Sequence, residues 1–196
     1  RRFQPLRLPC QSRSYGADKV TGHNYKNTQI SRDPEQFVIF QYTFQGMGEL
    51  LLNGEQYKVP AGKAFLLPVP SASIYAQSPE ADLYHFIYIT LWGNLALEIA
   101  QRILMKCGTI LTIHPDSKAL EMLCEHFHQL MTSPASRNVY DDAAFAFSFL
   151  LTLLKEQENN VQQSKDEMPD SLKNILTYMN FRFLKFISYI RLYKHT

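Results

Sequence analysis

Residues 44–70 read FQGMGELLLNGEQYKVPAGKAFLLPVP, and this stretch decides the predicted fold of the chain. Short apolar runs alternate with turn-forming residues, among them Asn53-Gly54 and Gly62. Asn-Gly between two short apolar runs is a strong signal for a two-residue hairpin, because both residues tolerate positive φ. A strand with one dry face must bury that face against a second sheet or inside a closed barrel. The stretch therefore predicts several short strands that fold back on one another.

Strands are also predicted on both sides of this stretch. Residues 37–44 are rich in aromatic and β-branched side chains, and residues 83–91 are almost continuously apolar. A strand of the second kind is expected where both faces of a sheet are covered. Residues 1–35 are polar and irregular, and we expect an N-terminal arm there with one short strand near residues 22–30.

The hydrophobic period changes in the second half of the chain. Apolar side chains recur at helical spacing in residues 94–106, from about 116 to 131 and from about 140 to 158. We expect Asn94 to cap the first of these helices and Gly108 to end it. The predicted fold class is therefore α+β, a β-barrel followed by a helical layer.

Composition narrows the class of protein. The chain has 196 residues, 45% of them hydrophobic, which is enough for one medium-sized domain with a sizeable core. Its formal net charge is only +2, so the chain is not basic throughout. Three widely spaced cysteines do not form a disulfide framework, and they fit a reducing cytoplasm. No apolar run approaches the ~20 residues that span a bilayer, so we expect no membrane partner.

The spacing of glycine and proline in residues 54–62 resembles the second motif of the cupin β-barrels. In metal-binding cupins this motif continues with a histidine and an asparagine, and the first motif supplies two histidines and a glutamate. Phe65 and Val69 occupy the histidine and asparagine positions here, and Ile39 stands near the glutamate position. The resemblance implies a degenerate cupin-like barrel, or jelly roll, without metal ligands, and we predict neither a metal nor another cofactor.

The order of barrel, helices, linker and further helix resembles the AraC family of bacterial transcription regulators. The turns of the barrel stretch, the aromatic strand at residues 84–93 and the sequence PDSLKNILTYM at residues 169–179 carry the similarity. The resemblance implies an effector-binding and dimerisation domain at residues 1–158, a linker at 159–169 and a fragment of the helix-turn-helix domain at 170–196. It also implies three partners: DNA, a small-molecule effector and a second copy of the chain.

The C-terminal residues depart from the family's pattern. Residues 186–194 resemble the helix that begins the family's second helix-turn-helix, but the whole first helix-turn-helix that should precede it is missing. Arginine and lysine interleave with phenylalanine and tyrosine in this region, which attracts phosphates but is equally typical of a solvated surface. DNA binding is therefore implied by the family resemblance and not by charge alone.

The resemblance also implies a set of effector-binding residues. Gln45, Tyr75, His85 and Ile87 match ligand-contacting positions of a sugar-responsive member of the family, where an arginine replaces Gln45 and a tryptophan replaces Ile87. These two exchanges argue against the same sugar and leave polar groups on apolar walls, as in small-molecule sites generally. A carbohydrate is one candidate effector. The alternative is that His85 is an ordinary core histidine and that Tyr75 is a rim aromatic.

The helix predicted at residues 140–158 is apolar over a wide arc. Its aromatic and leucine side chains cannot all face one barrel, which indicates a second partner. The resemblance implies that this partner is the twin subunit, with Phe145, Phe149, Leu150 and Leu153 as the contacts. The alternative is that the apolar stripe belongs to the core of the chain itself.

The sequence favours a ligand-responsive, sequence-specific DNA-binding regulator that is not an enzyme. The motifs of nucleophile elbows, phosphate-binding loops, dinucleotide sites and zinc proteases do not occur in it. Cys124 and His128 share a predicted helix face, but no further metal ligand lies near them in sequence. The alternative is a metal-dependent cupin enzyme, such as a dioxygenase or an isomerase, which needs donor side chains in the barrel.

Overall fold

The computed structural model describes residues 8–22, 25–28, 36–132 and 138–162, with side chains up to residue 160. The predicted helix-turn-helix fragment at 170–196 and most of the predicted linker lie outside these residues. The strands are β1 (Gln11–Thr21), β2 (Lys26–Thr28), β3 (Phe37–Leu52), β4 (Glu55–Pro60), β5 (Lys63–Val69), β6 (Ser73–Gln77), β7 (Leu83–Trp92) and β8 (Ile110–Thr112). The helices are α1 (Asn94–Cys107), α2 (Lys118–Thr132) and α3 (Val139–Gln162).

Strand β3 belongs to two sheets at once. Its first part, from Phe37 to Gly46, pairs with β5 and β7, and its second part, from Met47 to Leu52, pairs with β4 and β6. All of these pairings are antiparallel. Further out, β1 joins β7, β8 joins β5 and β2 joins β6. Because one strand runs through both sheets, the sheets enclose a shared interior, which is the cupin-like barrel.

The hairpin at Asn53-Gly54 forms as the sequence predicts. The φ angles of Asn53 and Gly54 are 52° and 88°, so both turn residues occupy the left-handed region that this dipeptide tolerates. The turn places Leu52 opposite Glu55 and sets the register of β3 and β4. The structure confirms the strands predicted at residues 37–44 and 83–91 and the short strands that fold back on one another between them.

The large sheet is buried on both of its faces. On the interior face, Ile39 packs with Phe65, Leu67 and Tyr75 in an apolar cluster. On the opposite face, Phe40 of β3 meets Phe149 of α3, with ring centroids 5.3 Å apart. The sheet therefore separates two cores, one inside the barrel and one under the helices.

The helices have the predicted order and nearly the predicted bounds. The prediction that Asn94 caps α1 is wrong, because the capping position is Gly93 and no side chain bonds to the helix start there. Gly108 ends α1 as predicted, with φ of 76° and its N–H donating to the carbonyl of Leu104 at 2.9 Å. Within the described part of the chain, no helix is long and apolar enough to cross a membrane.

Strand β1 is absent from the sequence prediction. Residues 11–21 read QSRSYGADKVT, which is mostly polar and has no clear alternation. The strand forms because it pairs with the apolar strand β7 along almost its whole length, from Gln11 opposite Trp92 to Thr21 opposite Leu83. A register shift between Ser12 and Ser14 marks an irregularity near its start.

A polar contact fastens β1 to α3 across the helical face of the sheet. The backbone N–H of Ser12 donates to Oδ2 of Asp142 at 2.9 Å, and the Ser12 hydroxyl donates to Oδ1. His126 of α2 lies beside the same carboxylate, with 3.8 Å between Nε2 and Oδ1, and stacks on the ring of Phe145. Burial alone would raise the pKa of Asp142, but the neighbouring His126 and the hydrogen bonds from Ser12 outweigh it and lower the pKa.

Candidate functional site

The interior of the barrel holds a cavity of about 440 Å³. The residues that line it come from five strands or their ends, and most of them point inward from the interior face of the large sheet. They are Arg13, Ser14, Asp18, Tyr25, Asn27, Phe37, Ile39, Gln41, Tyr75, Phe86, Tyr88 and Thr90. A volume of this size suits a small organic molecule.

The walls of the cavity are mainly aromatic. Tyr25 lies centrally, with its ring centroid 4.7 Å from that of Phe86 and 6.3 Å from that of Tyr75. Phe86 in turn lies 6.5 Å from Tyr88 on the same face of β7. Rings at these separations and tilts are in the range of favourable edge and offset contacts. The cavity therefore offers flat apolar surfaces on more than one side.

Gln41 supplies the most deeply buried polar group of the cavity lining. Its side chain is 1% exposed, and its Nε2 donates to the hydroxyl of Tyr84 at 2.7 Å. Its Oε1 accepts a longer bond, of 3.4 Å, from the hydroxyl of Tyr25. Burial raises the pKa of Tyr84 to about 12 and raises that of Tyr25 as well. Both phenols therefore stay neutral at pH 7, and Gln41 joins them in an uncharged network.

The charged residues of the lining stand on β1, at exposed positions. Arg13 lies with its guanidinium carbon 5.0 Å from the ring centroid of Phe37 and 5.9 Å from that of Trp92. Asp18 lies further along the strand, opposite Phe86 in the ladder. Both side chains are exposed, in contrast to Gln41. The site is therefore neutral in its depth and charged at its rim.

Of the four effector contacts predicted from the sequence, the structure brings only Tyr75 into the cavity lining. The alternation of β7 is as predicted, but its cavity face carries Phe86 and Tyr88. His85 and Ile87 lie on the opposite face, where His85 packs against Phe44 with 5.1 Å between ring centroids. Burial lowers the pKa of His85 to about 4, so its imidazole is neutral at pH 7.

Gln45 is placed differently from the prediction for a local reason. The ladder between β3 and β7 shifts register between Thr43 and Gln45, and Gln45 is exposed. The glutamine that reaches the cavity is Gln41, four residues earlier and before the irregularity. Sequence reasoning missed it, along with Phe86 and Tyr88, because the alternation of β7 separates its two faces without showing which one meets the cavity.

Comparison with known proteins supplies the family. The model of the AraC-like ligand binding domain matches residues 19–154, which is well over half of the chain. The chain belongs to this family. The match covers the end of β1, all of the later strands and most of the helical layer, so most of the cavity lining lies inside the matched region. Arg13, Ser14 and Asp18 of β1 precede it.

Similar solved structures include two regulators and a cupin. The AraC-like transcriptional activator CuxR has 10% identity and a TM-score of 0.45, with 86% of this chain and 58% of that chain covered. ToxT from Vibrio cholerae has 11% identity and a TM-score of 0.42, with 74% and 57% covered. A cupin protein from Bacteroides fragilis has 12% identity and a TM-score of 0.32, with 40% and 64% covered. The chain thus spans less than two thirds of the length of each of the three, and no curated protein matches it.

In this AraC-like domain, the positions that bear metal ligands in other cupins are packed with hydrocarbon. Ile39, Phe65 and Val69 belong to the same interior cluster, and each is at most 3% exposed. None of these side chains has a donor atom for a metal ion. Within residues 8–22, 25–28, 36–132 and 138–160, no three His, Cys, Asp or Glu side chains are grouped to hold one.

The helical layer of the domain corrects the predicted dimer contacts. Phe149, Leu150 and Leu153 are completely buried within the chain itself, where Phe149 packs on the sheet. In the single chain these three side chains therefore pack in the core, as in the alternative interpretation. Phe145 is half-buried and stacks on His126. The large apolar residues that α3 leaves exposed are Val139, Tyr140, Phe147 and Leu151.

A second cavity of about 380 Å³ lies between α2 and α3. Its lining includes three carboxylates, those of Glu125, Asp141 and Asp142, together with His126. Asp142 already holds Ser12 through two hydrogen bonds, so this lining takes part in joining β1 to the helices. The barrel cavity, with its aromatic walls and buried amide, is the better candidate for a ligand site of the AraC-like domain.

Proposed function

We propose that this chain is the sensory part of a ligand-responsive transcription regulator, with the effector bound in the barrel cavity. The observation that carries the proposal is the combination of aromatic walls with the buried amide of Gln41, inside a domain of the AraC-like ligand-binding family. Small-molecule sites generally combine apolar walls with a few placed polar groups. Residues 170–196 would contribute to sequence-specific DNA binding, as the family resemblance implies.

The same proposal assigns the protein no enzymatic activity. A cupin enzyme holds its metal through donor side chains in the barrel, and the positions in question carry Ile39, Phe65 and Val69. The cavity lining has tyrosines, amides and hydroxyls, and its buried network is neutral. These groups suit recognition of a ligand better than activation of water or oxygen.

Homodimerisation is part of the proposal, through different residues from those first predicted. Tyr140, Phe147 and Leu151 project from α3 at helical spacing, and the last two are 37% and 43% exposed. Residues at such spacing share one helix face. A second copy of α3 would cover this face, and a two-fold dimer is the commonest closed arrangement. Three free cysteines support a place in the reducing cytoplasm for the assembly.

The effector acts through the difference between its affinities for two states of the protein. Strand β1 is suited to report occupancy, because Arg13 and Ser14 line the cavity while Ser12 is bonded to Asp142 on α3. A ligand that favours one arrangement of β1 shifts the helical layer by its differential binding free energy. A carbohydrate, which the sequence resemblance implies, is one candidate effector.

Chromatin immunoprecipitation of the tagged protein, in the cell that encodes it, tests the proposal. A transcription regulator should occupy discrete DNA sites, and transcripts beside those sites should change when the gene is deleted. The variant Thr90→Phe, which adds volume inside the cavity, should alter those transcripts without lowering the amount of protein. The matched variant Thr112→Phe, at an exposed position of β8, should not alter them. A uniform DNA signal, or transcripts unaffected by deletion, would contradict the proposed function.

A further inference from the structure

The polarity of the cavity restricts the part of a ligand that can enter it. The charged lining residues, Arg13 and Asp18, are exposed on β1, whereas Gln41 and Phe86 are 1% exposed. A charged group moved into the depth would lose its hydration without meeting a partner of opposite charge among the deeply buried lining residues, which is strongly unfavourable. The buried portion of the ligand is therefore uncharged.

The shape of the walls favours a flat ring. The rings of Tyr25, Phe37, Tyr75, Phe86 and Tyr88 all contribute to the lining. Their separations, such as 4.7 Å between Tyr25 and Phe86, leave tilted faces and edges turned in different directions. A planar aromatic molecule makes offset and edge contacts with such surfaces, and those contacts add to the effect of burying its area.

The hydrogen-bonding capacity of the depth is small. One N–H of the Gln41 amide is used by Tyr84, and its oxygen accepts from Tyr25. Tyr25 also bonds to the side chain of Asn27. The amide has one further N–H, and Thr90, Tyr75 and Tyr88 add one hydroxyl each to the lining. A sugar carries a hydroxyl on nearly every carbon, and each one buried without a partner is unfavourable.

We propose that the effector is a neutral aromatic molecule with one ring oxygen substituent, such as a phenol, whose oxygen accepts a hydrogen bond from the Gln41 amide. The proposal rests on the proposed function, because it takes the barrel cavity as the effector site. It excludes a monosaccharide from that site and places any charged group of a larger ligand at the rim beside Arg13 or Asp18.

Methyl NMR of the whole chain tests the ligand class, with phenol, toluene, L-arabinose and D-galactose as probes. Ile39 lines the cavity and reports its occupancy, while Ile103 of α1 is buried and lies outside the cavity lining. Phenol should shift Ile39 and not Ile103, with a dissociation constant of about 1–10 mM, which ligand-efficiency limits allow for so small a molecule. Both sugars should leave Ile39 unshifted at the same concentrations.

The variant Gln41→Met separates the hydrogen bond from the apolar contacts. It keeps a side chain of similar length but has no amide, so phenol should bind about five- to tenfold more weakly, as the loss of one hydrogen bond predicts. Toluene, which has no oxygen, should bind the variant as it binds the wild type, and this also shows that the cavity is intact. Met105→Ala, at an exposed position of α1, should change neither affinity.

The outcomes distinguish the ligand class from the function. Sugars that shift Ile39 while phenol does not would overturn the aromatic class but leave the barrel as an effector site. If none of the four probes shifts Ile39, or if phenol shifts only residues between α2 and α3, both the ligand class and the barrel site are wrong. If Gln41→Met weakens phenol and toluene equally, the hydrogen bond to Gln41 is refuted.

Discussion

The substitution Asp142→Ala removes the contact that fastens β1 to the helical layer. The carboxylate accepts two hydrogen bonds from Ser12, one from the backbone N–H at 2.9 Å and one from the hydroxyl. Hydrogen bonds to a charged group contribute about 1.5–3 kcal/mol each when well buried. The site is only partly buried, so we expect a total loss of about 2–3 kcal/mol in the free energy of unfolding. For a domain of this size the melting temperature should fall by about 5–10 °C.

The chain provides a matched control in the next residue. Asp141 is also in the first turn of α3, but it is exposed. Both carboxylates interact with the helix dipole, which contributes about 0.3–1 kcal/mol at a helix start. Asp141→Ala should therefore cost no more than that amount. The difference between the two variants isolates the contact with Ser12.

Urea denaturation at pH 7, followed by circular dichroism, measures the free energy of unfolding of Asp141→Ala, Asp142→Ala, Ser12→Ala and the double mutant that combines Ser12→Ala with Asp142→Ala. The cycle should give a coupling free energy of about 1–2 kcal/mol between Ser12 and Asp142. Because the pKa of Asp142 is lowered from 3.8, its contribution is present above that value and is lost as the pH falls through the lower folded value. Asp142→Asn should therefore lose less stability than the wild type below about pH 4. Equal losses for Asp141→Ala and Asp142→Ala, or a coupling near zero, would refute the reasoning.

Three further predictions concern the core and surface of α3, a glycine of β3 and a buried histidine. Phe149→Ala should lower the free energy of unfolding in urea by about 3–5 kcal/mol, because Phe149 is fully buried. Phe147→Asp should leave the unfolding of the monomer nearly unchanged and should shift the sedimentation profile from dimer to monomer. An unaltered dimer would count against the exposed face of α3 as the dimer contact. Gly46→Ala should prevent or strongly weaken folding, because its Cβ would lie 1.7 Å from the backbone oxygen of Leu83. Gly62→Ala, also at positive φ but in open space, should lose only about 1 kcal/mol. Similar unfolding midpoints for the two variants would contradict the close approach at Gly46. His85, whose pKa is lowered to about 4, should stay neutral in NMR titrations until the pH approaches that value. Because the unfolded chain takes up this proton near pH 6.5, the free energy of unfolding should decline as the pH falls from about 6.5 to 4. A titration midpoint near 6.5 in the folded protein would show that His85 is solvated.

Much of the architecture could be predicted because its signals are local. The Asn53-Gly54 hairpin depends on the backbone freedom of two adjacent residues, and α1 and α3 depend on the spacing of apolar side chains. Strand β1 could not be predicted in this way. Its polar sequence becomes a strand only through pairing with β7, which lies about seventy residues further along the chain.

The site was harder to predict because β7 is buried on both faces. Alternation correctly separates His85 and Ile87 from Phe86 and Tyr88, but His85, Ile87 and Phe86 are all buried, so alternation alone does not show which set faces the cavity. Only the pairing of β3 and β7, with helices on the other side of the sheet, decides which set faces inward. The helical period of α3 similarly reveals a wide apolar arc and cannot show which part the chain covers itself.

The thermal-shift response of the variant Thr90→Phe tests the barrel cavity as the effector site most directly. The measurement uses the effector found in a screen of small aromatics and sugars. At a free concentration of one hundred times its dissociation constant, such a ligand raises the free energy of unfolding of the wild type by about 2.7 kcal/mol. This corresponds to a rise of about 5–10 °C in the melting temperature. We predict that Thr90→Phe, with its cavity filled, folds but loses this shift, while Thr112→Phe keeps it. An effector that raises the melting temperature of Thr90→Phe as much as that of the wild type binds elsewhere, and the account of this site would then be wrong.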